Sequence, residues 1–119
     1  LGTLEVRPIA GRELKEKDLI SKQDPYLEVT CGSEKHATKA DKRGGRKPQW
    51  SDVLRYDIHE GSNQMFVKAF AAGLNESKFI GECMIELKRV FSERQFDSWF
   101  ELKDRGKYAG EIYLELTFY

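Results

Sequence analysis

The densest run of charge in this 119-residue sequence lies between Lys35 and Lys47. There Lys35, Lys39, Lys42, Arg43, Arg46 and Lys47 face one acid, Asp41, for a net +5 in 13 residues. Basic side chains at that density attract anionic surfaces. Each contributes roughly 1 kcal/mol near a membrane carrying acidic lipid, so five or six suffice for salt-sensitive recruitment. Gly44-Gly45 supplies a flexible turn from which Arg43 and Arg46 can reach a flat partner. The plainer alternative is a solvated hairpin whose lysines keep an edge strand from pairing with other chains. The two readings differ in whether the cations converge in space. Gly44-Gly45-Arg46-Lys47 lacks the Lys-Ser/Thr ending and the strand-to-helix setting of a phosphate-binding loop.

Other chemistry is sparse. Cys31, His36, His59 and Cys83 could supply four zinc ligands, but no close Cys pair gives them metal-site spacing. Nucleophile elbows and Gly-rich dinucleotide turns are absent, and two histidines leave few candidates for acid-base work, so no enzyme and no cofactor are expected. Cys31 and Cys83 fit reduced, buried thiols in a cytosolic protein better than a disulfide.

The whole chain balances 20 basic against 20 acidic residues, so everything outside the basic run sums to −5 and the molecule is electrically polar. A zero total argues against a general nucleic-acid binder. No stretch approaches the apolar length of a membrane span, and Leu1-Gly2-Thr3 does not open a signal peptide. The length fits one domain over residues 1–119, soluble, monomeric, and trimmed, since no Met opens it.

Period-two alternation must position the charges. Leu4 and Val6 oppose Thr3, Glu5 and Arg7; Leu27, Val29 and Cys31 oppose Tyr26, Glu28 and Thr30; Cys83, Ile85 and Leu87 oppose Glu82, Met84 and Glu86; Ile112, Leu114, Leu116 and Phe118 oppose Glu111, Tyr113, Glu115 and Thr117. Further strands are predicted over Lys35–Ala40, Trp50–Ile58, Met65–Phe70 and Ser98–Leu102. Eight short strands mean an all-β antiparallel sandwich. Leu87, Val90, Phe91 and, less neatly, Phe96 instead follow helical spacing, which predicts one short helix between Leu87 and Gln95.

Five stretches in order carry a resemblance. Gly2-Thr3-Leu4-Glu5-Val6, Asp24-Pro25-Tyr26-Leu27, Lys47-Pro48-Gln49-Trp50-Ser51-Asp52, Phe79-Ile80-Gly81-Glu82 and Gly110-Glu111-Ile112 together resemble a C2 domain over nearly the whole chain. The resemblance implies an eight-stranded β-sandwich in the phospholipase-type (type II) arrangement. Within the family the sequence is most similar to small plant C2 proteins and to C2 domains of fungal cytokinetic ingression proteins.

C2 domains that bind calcium use aspartates from two loops. Asp18 and Asp24 stand where the family's first loop has its carboxylates, but Ala69-Phe70-Ala71 replaces the Asp-x-Asp of the second, with only Asn75 and Glu76 beyond it. Calcium takes six to eight oxygens. No metal site is therefore expected: Asp24 becomes a turn former accepting local backbone hydrogen bonds, and Asp18 an exposed loop acid. At the loop tips, Leu19 and Ile20 sit between Lys17 and Lys22, while Leu74 and Phe79 flank the second loop. These apolar residues either dip into a bilayer interface or fold back over the end of the sandwich.

Two functions remain open. One is a calcium-independent module docking on anionic phospholipid or phosphoinositide through the six basic residues, bringing a larger protein to the cytoplasmic face of the plasma membrane, with the resemblance pointing to the division site. The other is an interaction scaffold that binds another cytokinesis or trafficking protein by a sheet face or edge, with Tyr26, Tyr113 and Tyr119 as anchors.

Overall fold

Alternation of apolar and polar residues produces eight antiparallel strands in the computed structural model, which describes residues 1–16 and 20–119. The order is β1 (Gly2–Arg12), β2 (Pro25–Cys31), β3 (Glu34–Ala37), β4 (Leu54–Ile58), β5 (Gln64–Ala71), β6 (Lys78–Glu86), α1 (Lys88–Glu93), β7 (Gln95–Asp104) and β8 (Lys107–Phe118). Hydrogen-bonded neighbours run β3-β2-β5-β6-β7-β8-β1-β4. Between β6 and β7 the only register pair is Glu82 with Lys103, so the ladder folds over there into two four-stranded layers. The open side is tied by the Tyr56 hydroxyl, which donates to the Val29 carbonyl at 2.7 Å, and by the Asp57 N–H, which donates to Glu34 Oε1 at 2.8 Å.

Between the layers, Leu4, Val6, Leu27, Val29, Met65, Val67, Ile112, Leu114 and Leu116 are fully buried. Each such side chain stabilises the fold by about 1.5–3 kcal/mol relative to exposure. Glu5 lies on the outer face yet is buried, because the guanidinium groups of Arg7 and Arg55 cover its carboxylate at 3.0 and 3.3 Å. The predicted helix forms as α1, with Val90 buried and Phe91 against Phe118 at 4.8 Å between ring centres. Arg94 ends it in the left-handed region at φ 71°.

Several strand boundaries differ from the sequence expectation, most clearly in three strands. The third strand stops at Ala37 rather than Ala40, because Thr38 turns inward: its N–H donates to the Leu27 carbonyl and its hydroxyl oxygen accepts the Leu27 N–H. The fourth begins at Leu54 rather than Trp50. Trp50 is instead a buried anchor whose indole N–H donates to the Pro25 carbonyl at 3.1 Å and whose backbone N–H donates to that of Ile9. Strand β7 extends past Ser98–Leu102 at both ends, paired along its length with β8.

Both chain ends lie side by side. Thr3 and Tyr119 exchange backbone hydrogen bonds of 3.1 and 2.8 Å, and the Leu1 ammonium donates to the Ile58 carbonyl. Residues 21–24 and 72–78, together with residues 41–48, gather at the opposite pole, beside Pro25 and Ala71.

Candidate functional site

A backbone network shapes that far pole. Gln23 is buried, and its side-chain amide donates to the carbonyls of Lys15 and Gly45, both at 3.0 Å, while the Gly45 N–H donates to the Gln23 carbonyl. Gly45 can do this at φ 63°, a conformation that favours glycine. Asp41 folds the segment upon itself: its N–H donates to the Pro25 carbonyl, its carbonyl accepts the Gly44 N–H, and its carboxylate accepts the Gln49 N–H at 2.9 Å. Arg46 and Pro48 carbonyls accept the N–H groups of Leu14 and Gly11. The basic segment is thus pressed against the end of β1 and the entry to β2.

Asp24 joins the same network. Its Oδ1 accepts the Arg43 N–H at 2.8 Å, and its carbonyl accepts the Ala72 N–H at 2.9 Å. The partner is Arg43, nineteen residues away, so the expectation of purely local bonding is corrected: Asp24 links three segments. Arg43 itself sits in the left-handed region at φ 58°, uncommon for a residue other than glycine.

These segments enclose a cavity of about 370 Å3 whose lining includes Lys22, Asp24, Arg43, Ala72, Glu76 and Lys78. The Lys22 stem lies over Gly45, its Cδ 3.5 Å from where a Cβ would stand there. Two carboxylates and three cations share the cavity. Lys42, Arg46 and Lys47 are exposed on the same basic segment. Among the described residues, none of Lys22, Lys42, Arg43, Arg46, Lys47 and Lys78 forms an ion pair.

Of the six basic residues singled out in the sequence, Lys42, Arg43, Arg46 and Lys47 come together at this pole. Lys35 does not. It faces outward from β3 opposite Thr30, about 17 Å along β2 from Pro25, with its Nζ 3.8 Å from Glu28. Lys39 lies between, its N–H donating to the Asp52 carboxylate at 3.2 Å. The sequence reading missed Lys78, which reaches the cavity because it opens β6 opposite Ala71. That hairpin pairing is the signal that finds it.

At the tips, Ile20 and Leu74 are fully exposed, so neither folds back over the sandwich. Phe79 belongs to the sheet instead, edge-on to Phe70 at 5.9 Å. Asp18 and Leu19 lie outside the described residues. Tyr26 stacks on Phe70 and donates its hydroxyl to Ser77, Tyr113 packs beside Trp99, and Tyr119 is exposed next to the chain start.

Cys31 and Cys83 are free thiols, on β2 and β6. Burial, with the Glu82 charge second, pushes the Cys83 thiol up to about 12; burial also raises that of Cys31. His36 rests against the Tyr56 ring at 4.9 Å, within 3.5 Å of Glu34. Among the described residues, no three His, Cys, Asp or Glu side chains gather to hold a metal. No helix there is long and apolar enough to cross a membrane.

Comparison with known proteins agrees with this geometry. The chain is 32% identical to ingression protein fic1 of Schizosaccharomyces pombe over 99% of its own length but only 44% of that protein, so it spans less than half of that relative. It is 29% identical to 16 kDa phloem protein 2 of Arabidopsis thaliana, covering 98% of this chain and 81% of that one. A solved C2 domain-containing protein from a putative elicitor-responsive gene superposes with a TM-score of 0.84 at 27% identity, covering 99% of this chain and 88% of that one. The calcium-bound tandem C2 domains of Extended-Synaptotagmin 2 superpose at 0.86, again 27% identical, covering 98% of this chain and 45% of that one. The family model for the C2 domain matches residues 2–102. With eight strands in the expected type II order and the short helix between β6 and β7, this chain belongs to the C2 domain family.

Proposed function

We propose that residues 1–119 act as one C2 module, a binding module rather than an enzyme, that brings a larger protein to anionic phospholipid at the cytoplasmic face of a membrane without calcium. The observation that carries this reading is the pole itself, where six cations without ion-pair partners among the described residues lie close to the exposed Ile20 and Leu74. Cations recruit the domain to the charged surface, and apolar tips of this kind enter the interfacial layer. The donor set supports calcium independence. Ala71 and Ala72 bring methyl groups to the cavity, and the carboxylates there are Asp24, already holding an amide, and Glu76. That is a poor fit to an ion needing six to eight oxygens, and three cations share the space. Kinship with a protein named for ingression supports a place of action at the division site.

Co-sedimentation with phosphatidylserine vesicles in EDTA tests the proposal. Wild type is expected to pellet at low salt and to be released as salt rises, with the triple variant Lys42→Gln, Arg46→Gln, Lys47→Gln released first. No pelleting at low salt overturns it.

A second reading, a scaffold for a protein partner, is favoured by Phe66 and Met84. They face each other across β5 and β6 on the outer side of the sheet, both about half exposed. Paired exposed side chains of this kind are suited to anchoring a protein surface.

A further inference from the structure

Away from the loop pole, the outer face of β2, β5 and β6 carries a pattern of its own. Phe66 and Met84 stand opposite each other on it, 48% and 46% exposed, and with Thr30, Lys68 and Glu82 they border an open depression of about 490 Å3. A lone exposed apolar residue is ordinary; a facing pair beside a depression marks a contact surface. One row nearer the loop pole, strand register sets four charges in a line across the layer: Glu28, Lys68, Glu82 and Lys103. The outer two have neighbours in the chain, Glu28 with Lys35 at 3.8 Å and Lys103 with Glu101 at 3.7 Å. Among the described residues the inner two, Lys68 and Glu82, form no ion pair, not even with each other.

We infer that this face binds a second copy of the chain, in a two-fold dimer whose axis runs parallel to the strands, midway between β5 and β6. The charges select that axis. Their signs run minus, plus, minus, plus, and such a line is complementary to its own reverse. Turned by 180° about this axis, the second copy lays the partner's Glu82 against Lys68 and the partner's Lys103 against Glu28. Phe66 meets the partner's Met84, so the apolar row matches itself as well. An axis across the strands instead sets Lys68 on the partner's Lys68, or the apolar pair on the charges. Self-complementarity of one patch is what an isologous interface requires, and two sheets packed face to face keep their strands roughly aligned. The contact is small. Four strands about 4.8 Å apart, followed for some six residues, give a footprint of roughly 400 Å2 per copy, against about 800 Å2 in a stable interface, so the dimer exchanges. Rotation about this axis keeps direction along the strands, which leaves both loop poles at the same end and both pairs of chain ends at the other. Two poles that face one way can engage one surface together, and avidity then exceeds the strength of either alone.

The inference rests on the reading of Phe66 and Met84 as protein anchors and does not need lipid. Sedimentation equilibrium from about 5 to 500 micromolar tests it, a range chosen for a dimer that dissociates at tens of micromolar. Wild type is expected to pass from 13.8 kDa to twice that mass as concentration rises. Lys68→Glu alone and Glu82→Lys alone each set two like-charge contacts across the two-fold, weaken the dimer about a hundredfold, and stay at 13.8 kDa throughout. Mixed in equal amounts, the two variants restore every opposite-sign contact, and the doubled mass returns. Phe66→Ser with Met84→Ser, which leaves the charges in place, also lowers the mass. Urea denaturation checks that each variant is folded. Wild type at 13.8 kDa over the whole range, the monomer expected from the sequence, overturns the inference while leaving a different protein free to use the same anchors. A dimer that survives both charge reversals or the Phe66→Ser, Met84→Ser change forms through another surface and overturns it, as does a mixture of the two charge variants that stays monomeric.

Discussion

Asp24 Oδ1 and the Arg43 backbone N–H are 2.8 Å apart, so the carboxylate at the entry to β2 holds the basic loop rather than standing open for a cation. Asp24→Ala removes the acceptor and is expected to lower stability by about 1 kcal/mol, while Asp24→Asn, which keeps a carbonyl acceptor, loses less. Urea midpoints of the two variants measure the difference; equal losses would mean that charge, not the bond, matters.

Calcium is expected to leave the fold indifferent. A ligand that binds only the native state raises its melting temperature by mass action. The thermal midpoint in millimolar calcium should therefore match that in EDTA, and titration calorimetry should show no saturable site at micromolar calcium. A clear upward shift would contradict the reading of the donor set.

Tyr56 is the tie between the layers. Its buried hydroxyl bonds the Val29 carbonyl at 2.7 Å, and burial, followed by the charges near Cys31 and Glu34, holds its proton well above the ordinary tyrosine range. Tyr56→Phe removes one buried hydrogen bond and is expected to cost about 0.5–1.5 kcal/mol. Tyr56→Ala also empties the space the ring fills, and should cost about 3–5 kcal/mol. Chemical denaturation of both separates bond from packing.

Gly110 lets β8 pass the loop after β1. Its φ is 115°, and a Cβ there would stand 2.7 Å from Leu14 Cα and 2.8 Å from the Glu13 carbonyl oxygen. Gly110→Ala is therefore expected to destabilise by about 2 kcal/mol or more, since backbone rather than a flexible side chain must move. A thermal midpoint within a degree or so of wild type would show that this approach is relaxed in solution.

Stability should decline in alkali through Cys83. Its thiol sits at about 12 when folded against an ordinary 9.0, so the unfolded chain releases that proton first. The contribution is full below about pH 9 and is lost as pH rises toward 12. Cys83→Ser removes this ionisation, so the stability gap between wild type and variant is expected to narrow from pH 8 to pH 10.5. Parallel urea midpoints across that range would exclude it.

Most of the strand pattern was legible because one face of each strand is apolar, and period two reports that directly: Leu27 and Val29 inward, Glu28 and Thr30 outward. The short helix was legible from Leu87, Val90 and Phe91 for the same reason. What failed were segments whose partners are far away in sequence. Lys35–Ala40 looked continuous, yet Thr38 has both its N–H and its hydroxyl committed to Leu27, and alternation does not encode that. Trp50 looked like a strand residue because aromatic residues favour strands, whereas its indole serves a loop. The basic run was correctly seen as charged but not as divided, since Lys35 follows the sheet and Lys42 to Lys47 follow Gln23 and Asp24. Gln23, a single polar residue in a loop, carried no pattern at all.

The pairing of Thr3 with Tyr119 has a mechanical meaning. Because β1 and β8 run antiparallel with their free ends together, a force that pulls those ends apart acts across the ladder instead of along it. Each hydrogen-bonded pair then meets the load alone, beginning at Thr3 and Tyr119, and the module peels like a zipper rather than resisting in shear. Pulled instead between that end and its loop pole, the same strands are loaded lengthwise and share the strain. The domain is a firm link in one direction and a yielding one in the other.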